Sequence, residues 1–349
     1  MLTRHIFLED YSDGLQSPRS SAAIVYFRDP GRFAMSRILT SACVVVLLVT
    51  QVVHAQTPKV THRVLAAENA RHIAIINEKG EVEWEVENKA PEVHDIQMLP
   101  NGNVLFQTNY TTVVEMNRDK QIVWKHESKP KAGYTGRVEI HSYQRLPNGL
   151  TLIAESGNTR LIEVDKEDRI VKEIALTVAT PSAHRDTRMV RKLENGHYLV
   201  CHEGDGKVRE YDDNGKVVWT YTMELGGGPS TGGHEGHGIN VFGAIRLANG
   251  NTMIAGGNNN RVFEVNPAGN VVWSIEQKEL PGITLTWTTT LHALPNGNLI
   301  FGNAHAGPDN PQLIEVTRDK KVVWTFKDMT NFGNNLVAAQ VLVDGRVIR

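Results

Sequence analysis

The pentapeptide LPNGN occurs at Leu99–Asn103 and again at Leu294–Asn298. Related turns begin at Leu146, Leu193 and Leu247, and a weaker copy, LVDG, begins at Leu342. Successive copies start 47, 47, 54, 47 and 48 residues apart. A period of this length predicts a solenoid or a propeller.

A second motif follows the same spacing and ends each time in tryptophan. It reads KGEVEW, DKQIVW, NGKVVW, AGNVVW and DKKVVW, ending at Trp84, Trp124, Trp219, Trp273 and Trp324. Between the motifs lie short runs rich in β-branched and aromatic residues, joined by Asn-Gly or Asp-Lys turns, which is typical of hairpins. Each repeat therefore predicts four short strands, the size of a propeller blade, with the tryptophans packed between neighbouring blades.

The two ends of the repeat region complete one another. Residues 61–87 supply the last three strands of a blade, and residues 336–342 supply a first strand. Joining them leaves no long sheet edge unpaired. We therefore predict an all-β, six-bladed β-propeller with four-stranded blades, closed by its N- and C-terminal strands. Seven blades are the alternative, because residues 346–349 also resemble the start of a second strand.

The first 55 residues differ from the rest of the chain. Residues 35–55 read MSRILTSACVVVLLVTQVVHA, in which Arg37 precedes an apolar run that ends in a small-x-small signal at Ala55. This layout predicts a signal peptide and a secreted or periplasmic protein, with a membrane anchor as the alternative. We interpret residues 1–34 as a leader or as the result of a misassigned start codon, and residues 56–349 as one propeller domain.

Charge and cysteine content exclude some classes of partner and site. The formal net charge of −2 gives no reason to expect a nucleic acid or an anionic membrane as partner. After removal of the signal peptide we expect no stable membrane insertion. That removal would take Cys43 and leave only Cys201, so we expect neither an internal disulfide nor a thiolate-rich metal site.

Three stretches carry a resemblance to known families. VREYDDNGKVVWTY (Val208–Tyr221) and VFEVNPAGNVVWSI (Val262–Ile275) resemble the tryptophan-docking repeat of PQQ-like, quinoprotein-type propellers. HDIQMLPNGNVLF (His94–Phe106) is similar to bacterial arylsulfotransferase-like propellers, which are six-bladed, periplasmic and transfer a sulfuryl group through a histidine. The resemblance implies PQQ or Ca²⁺ as cofactor. The chain lacks the length and the adjacent cysteines of PQQ-dependent dehydrogenases, so that activity is not expected.

Acid–base pairs precede the turns in three consecutive repeats. They are Glu92 with His94, Glu139 with His141, and Asp186 with Arg188. A spacing of two places both members on the same side of a strand. The first strands of a propeller line its channel, so these side chains are predicted to meet at one mouth of that channel. The other three repeats lack such pairs, which predicts a one-sided pocket. A network of surface ion pairs without a ligand is the alternative.

These residues leave three functions open. Two imidazoles and a guanidinium would bind a small polar or anionic ligand, or a sugar. An arylsulfotransferase-like enzyme would instead use His94 or His141 as nucleophile or base and Arg188 as anion clamp. A scaffold that binds a protein partner is the third hypothesis. Further ligand-binding candidates are His184, His237, Asn109 and Asn158. No metal is expected, because His234 and His237 have no identifiable third ligand.

Overall fold

The computed structural model describes residues 61–68, 72–224, 240–343 and 346–347. The described part of the chain opens with three strands, and five complete four-stranded sheets follow in it. The opening strands are β1 (Arg63–Glu68), β2 (His72–Ile76) and β3 (Val82–Glu87). The next two sheets comprise β4 (Gln97–Met98), β5 (Val104–Gln107), β6 (Thr112–Met116), β7 (Ile122–Glu127), β8 (Glu139–Arg145), β9 (Thr151–Ser156), β10 (Arg160–Val164) and β11 (Ile170–Ala175).

The remaining complete sheets repeat the same meander. They comprise β12 (Val190–Lys192), β13 (Tyr198–His202), β14 (Lys207–Tyr211), β15 (Val217–Thr222), β16 (Gly243–Arg246), β17 (Thr252–Ala255), β18 (Val262–Val265), β19 (Val271–Ile275), β20 (Trp287–Ala293), β21 (Leu299–Ala304), β22 (Leu313–Val316) and β23 (Val322–Phe326). All strand pairs are antiparallel, and the prediction of an all-β, six-bladed propeller is confirmed.

The chain ends close the ring in one composite blade. After the short helix α1 (Met329–Phe332), strand β24 (Leu336–Val343) pairs antiparallel with β1. Strand β25 (Arg346–Val347) adds to the other side of β24, giving the order β25-β24-β1-β2-β3. Of residues 346–349, which suggested a seventh blade, the two described ones therefore form a fifth strand of the composite blade.

The repeated pentapeptide has a structural role. Gly102 and Gly297 adopt φ of +83° and +86°, which glycine reaches without steric penalty. The last asparagine of each copy binds a glutamate on the third strand of its own blade. Nδ2 of Asn103 donates to Oε1 of Glu115 at 2.6 Å, and Asn298 makes the same bond to Glu315. The turn is thus tied back onto its sheet.

The tryptophan repeat joins neighbouring blades, as predicted. Trp84, Trp124, Trp219 and Trp273 each donate Nε1–H to a backbone carbonyl about one repeat further along the chain. Arg145 stacks 5.2 Å over the ring of Trp124 and also pairs with Glu115 at 3.0 Å. These contacts fix the angle between blades and leave the inner strand ends to form the mouth of the channel. No helix in the described part of the chain could span a membrane.

Candidate functional site

Side chains from three blades meet at the channel axis, where the inner strands begin. Nδ1 of His94 and Nδ1 of His141 lie 2.8 Å apart, and both rings are buried. The ring of Phe242, from the blade opposite His94, lies 6.0 Å from the His94 ring centroid, so this contact crosses the axis. One of the two facing Nδ1 atoms must donate and the other must accept, so one proton is shared between them.

Two glutamates and a third histidine surround this pair. Oε2 of Glu139 lies 3.2 Å from Nε2 of His141 and 2.9 Å from Nδ1 of His184. Oε2 of Glu92 lies 3.6 Å from Nε2 of His94 and 3.8 Å from Nε2 of His184. The His184 side chain is 38 % exposed and forms the solvent side of the group. We call these five residues, Glu92, His94, Glu139, His141 and His184, the mouth cluster.

The environment keeps the buried histidines uncharged. Burial, and next the positive charge of Arg188, lower the pKa of His94 and of His141 well below the usual range. Both imidazoles are therefore neutral near pH 7. The mouth thus differs from the group of converging cations that the sequence suggested, because its histidines are neutral and stand beside carboxylates.

Arg188 is buried close to the mouth cluster. Its side chain is only 2 % exposed, and its Nε lies 2.6 Å from Oε2 of Glu203 without hydrogen-bond alignment. Within the described ranges, no atom forms a hydrogen bond with its Nη1, which has almost no solvent-accessible surface. Sequence reasoning missed Glu203. Its position just after β13, in a loop that reaches the same face, was the available signal.

Asp186 does not pair with Arg188. Its Oδ1 accepts from the backbone N–H of Ser182 at 2.6 Å, and its Oδ2 accepts from that of Gly157 at 2.8 Å. Burial raises the pKa of Asp186 despite these bonds. Gly157 has φ of +84°, and a Cβ there would overlap the carbonyl oxygen of Arg137. Asp186 therefore anchors the loop that carries His184 and Arg188.

The other sequence candidates lie elsewhere or outside the described residues. Oδ1 of Asn109 accepts from the backbone N–H of Thr111 at 2.8 Å and shapes its own turn. Asn158 is buried, and its Nδ2 donates to the carbonyl of Lys129 at 2.9 Å. His234 and His237 belong to residues 225–239, which the structure does not describe, and the predicted signal peptide is also outside the described residues.

The opposite half of the mouth is apolar. Phe242, Ala304 and Val337 form a small buried cluster, and Trp287 packs against it. The Trp287 ring meets Phe242 edge-on at 6.2 Å and stacks on His305 at 4.9 Å. The mouth therefore has a polar side and an aromatic side.

Below the mouth the axis is narrow and has a mixed polar and apolar lining. A cavity of about 40 Å³ runs between the inner strands and is lined at one end by His94. Arg191 spans part of it, with Nη1 and Nη2 donating to the two carboxylate oxygens of Asp95 at 2.7 and 3.0 Å. This volume is enough for about one water molecule. A larger ligand would therefore be confined to the mouth.

Comparison with protein families identifies the repeat. A family model of PQQ-like repeats, described as outer membrane protein assembly factor BamB, matches residues 70–343. The chain belongs to this PQQ-like family. A comparison with curated protein sequences finds no match.

Solved structures show the same fold in other proteins. A protein of unknown function from Bacteroides caccae matches with a TM-score of 0.67 and 23% identity, over 81% of this chain and 99% of that one. Catalytically inactive virginiamycin B lyase from Staphylococcus aureus, solved with quinupristin, matches with a TM-score of 0.53 and 13% identity, over 79% of this chain and 88% of that one. At these identities the PQQ-like propeller shares only its fold with them.

Proposed function

We propose that this PQQ-like propeller binds a small polar ligand with an anionic group at the channel mouth. Arg188 carries the proposal. A buried guanidinium with a hydrogen-bonding nitrogen that none of the described residues satisfies is costly, and an anionic oxygen would satisfy it. The mouth cluster would hold the ligand's hydroxyl or amide groups, because it offers neutral imidazoles and carboxylates.

The apolar half of the mouth suggests what else the ligand carries. Phe242 and Trp287 present aromatic surface across the axis from His94. A ring or short hydrocarbon part of the ligand would pack there. The proposed ligand class is therefore a small anion with an apolar or aromatic body, such as an aryl sulfate or an aryl carboxylate.

Sulfuryl or group transfer through a channel histidine has less support. The two Nδ1 atoms of His94 and His141 face each other, and each Nε2 faces a glutamate. A histidine nucleophile needs one nitrogen free to attack. Ligand binding requires no free nucleophilic nitrogen, so we favour it over arylsulfotransferase-like chemistry and over a scaffold without a ligand.

We expect replacement of Arg188 to weaken anion binding. Loss of a charge-assisted hydrogen bond should weaken binding of an aryl sulfate roughly 10- to 100-fold. The measurement is isothermal titration of purified protein with 4-nitrophenyl sulfate, 4-nitrobenzoate and inorganic phosphate, for wild type and Arg188→Gln. Arg209→Gln is the matched control, because Arg209 is also buried and paired, at 2.7 Å with Asp205. Equal binding by wild type and Arg188→Gln, or no binding of any probe, would contradict the proposal.

We also propose that the protein is exported. Support comes from the apolar segment at residues 38–53 and from the family description, which names an outer membrane assembly factor. Mass spectrometry of the protein purified from its native cells should find a mature N-terminus at Gln56. An intact N-terminus at Met1 or Met35 would contradict cleavage.

A further inference from the structure

We propose that the mouth cluster binds one divalent transition-metal ion through the imidazoles of His141 and His184 and the carboxylates of Glu92 and Glu139, with Nδ1 of His94 accepting the Nδ1–H of His141. The role of the metal in holding a ligand rests on the proposed function. The test of metal binding is independent of that function, because it is carried out without any ligand.

The first argument for a metal site is the spacing of the donor atoms. Ligand atoms of Glu92, His94 and His141 all lie within 4.8 Å of one another, and so do those of Glu139, His141 and His184. Metal–ligand bonds of about 2.0–2.2 Å place neighbouring donors roughly 3.0–3.6 Å apart around one ion. The four carboxylate–imidazole distances of the mouth cluster, 2.9, 3.2, 3.6 and 3.8 Å, lie in or near that range.

Unsatisfied buried atoms provide an independent observation. The His141 side chain is fully buried, and its Nε2 makes no aligned hydrogen bond within the part of the chain that the structure describes. Oε2 of Glu92 is likewise buried and without a hydrogen-bond partner there. Buried polar atoms are seldom left unsatisfied in native proteins. A bound cation would use both lone pairs, and a hydrogen-bond network among these five residues leaves them unused.

Charge and chemistry select the kind of ion. Arg137 lies 2.7 Å from Oε1 of Glu139, so the carboxylate keeps its other oxygen for the imidazoles. Two nitrogen and two oxygen donors suit Zn²⁺, Co²⁺, Fe²⁺ or Mn²⁺, whereas Ca²⁺ and Mg²⁺ prefer oxygen alone. Of the two Glu-x-His pairs in consecutive blades, the first would supply a carboxylate, and the second would supply a carboxylate and an imidazole. His234 and His237 stay sequence candidates, because they lie outside the described residues.

The test measures metal binding to the full chain. After chelator treatment and dialysis, wild type is titrated with Zn²⁺ by calorimetry and with Co²⁺ by visible absorption. We expect one ion per chain. His141→Ala should weaken binding at least 100-fold, and His184→Gln about 10- to 100-fold. His184 is partly exposed, so its variant should fold even where His141→Ala does not, and thermal unfolding in chelator checks this.

The control variant replaces a histidine that also contacts a glutamate but lies outside the mouth cluster. Nδ1 of His197 lies 2.7 Å from Oε1 of Glu210 in a turn outside the mouth cluster, so His197→Ala should bind Zn²⁺ like wild type. The inference fails if wild type binds neither metal. It also fails if binding survives His184→Gln unchanged but is lost on replacing His234 and His237. Metal binding without binding of any anion would refute only the proposed function, and anion binding by a wild-type protein that binds neither metal would refute only the metal site.

Discussion

A chain that lacks residues 336–349 should not unfold cooperatively, because its ring cannot close. Strand β24 pairs with β1 along its length, from Arg63 opposite Leu342 to Glu68 opposite Leu336. Its large aliphatic side chains Leu336, Val337, Val341 and Leu342 are at most 5 % exposed. Burying four such side chains contributes roughly 6–12 kcal/mol as an upper estimate, about the whole stability of a typical domain, ~5–15 kcal/mol.

The comparison is a urea titration followed by circular dichroism and tryptophan fluorescence. The control is a chain ending at Val343, which keeps β24 and removes only β25. We expect the control to unfold in one transition near the wild-type midpoint, and the longer deletion to show no sharp transition and to aggregate through the unpaired edge of β1. A sharp transition for the longer deletion, near the wild-type midpoint, would contradict a structural role for closure.

The sequence was sufficient for the fold because most blades carry the same set of motifs. Asparagine in the turn, glutamate in the third strand and tryptophan in the fourth recur together, and in the structure they bind one another or the next blade. Because these motifs recur together, the sequence repeat can be recognised even where one blade lacks part of the set. The exception was the C-terminus, where β25 adds to β24, because a two-residue strand carries no periodicity.

The candidate site was only partly predictable. Strand position indicates which residues point into the channel, so His94, His141 and Arg188 could be found from their distance to the turn. The partners of the charged side chains could not be read in this way. The pairing of Arg188 with Glu203 instead of Asp186 depends on a loop conformation fixed by backbone bonds to Ser182 and Gly157.

The charge state of the mouth also needed the structure. An imidazole and a carboxylate two residues apart suggest a protonated histidine, because an opposite charge favours the charged form. Complete burial of His94 and His141 and the positive charge of Arg188 reverse that expectation. The proposed metal site rests instead on the spacing of the donor atoms and on the buried atoms without hydrogen-bond partners.

Acid should destabilise this propeller strongly, because two histidines outside the mouth cluster are buried uncharged. Burial lowers the pKa of both His202 and His292 from the usual histidine value of 6.5 to about 4. Arg209 and Lys207 also lower that of His202, against a backbone hydrogen bond to Asp186 and the charge of Asp205.

As the pH falls, His202 and His292 are protonated in the unfolded chain at a higher pH than in the folded protein. The stability from each histidine is therefore fully present above about pH 6.5 and is lost as the pH falls to about 4. At about 1.4 kcal/mol per pKa unit, each histidine contributes roughly 3 kcal/mol.

The experiment measures the free energy of unfolding by urea in chelator from pH 7.5 to 4, for wild type and His202→Gln. The neutral ring of His202 has a fixed tautomer, because Nδ1 donates to the carbonyl of Asp186 and Nε2 accepts from the hydroxyl of Tyr211, both at 2.8 Å. Glutamine can donate and accept similarly but takes up no proton. It should therefore flatten the slope of the unfolding free energy against pH near pH 5 by about one proton, roughly 1.4 kcal/mol per pH unit. An unchanged slope in His202→Gln would contradict this prediction. It would show that His202 takes up its proton at the same pH in the native protein and in the unfolded chain.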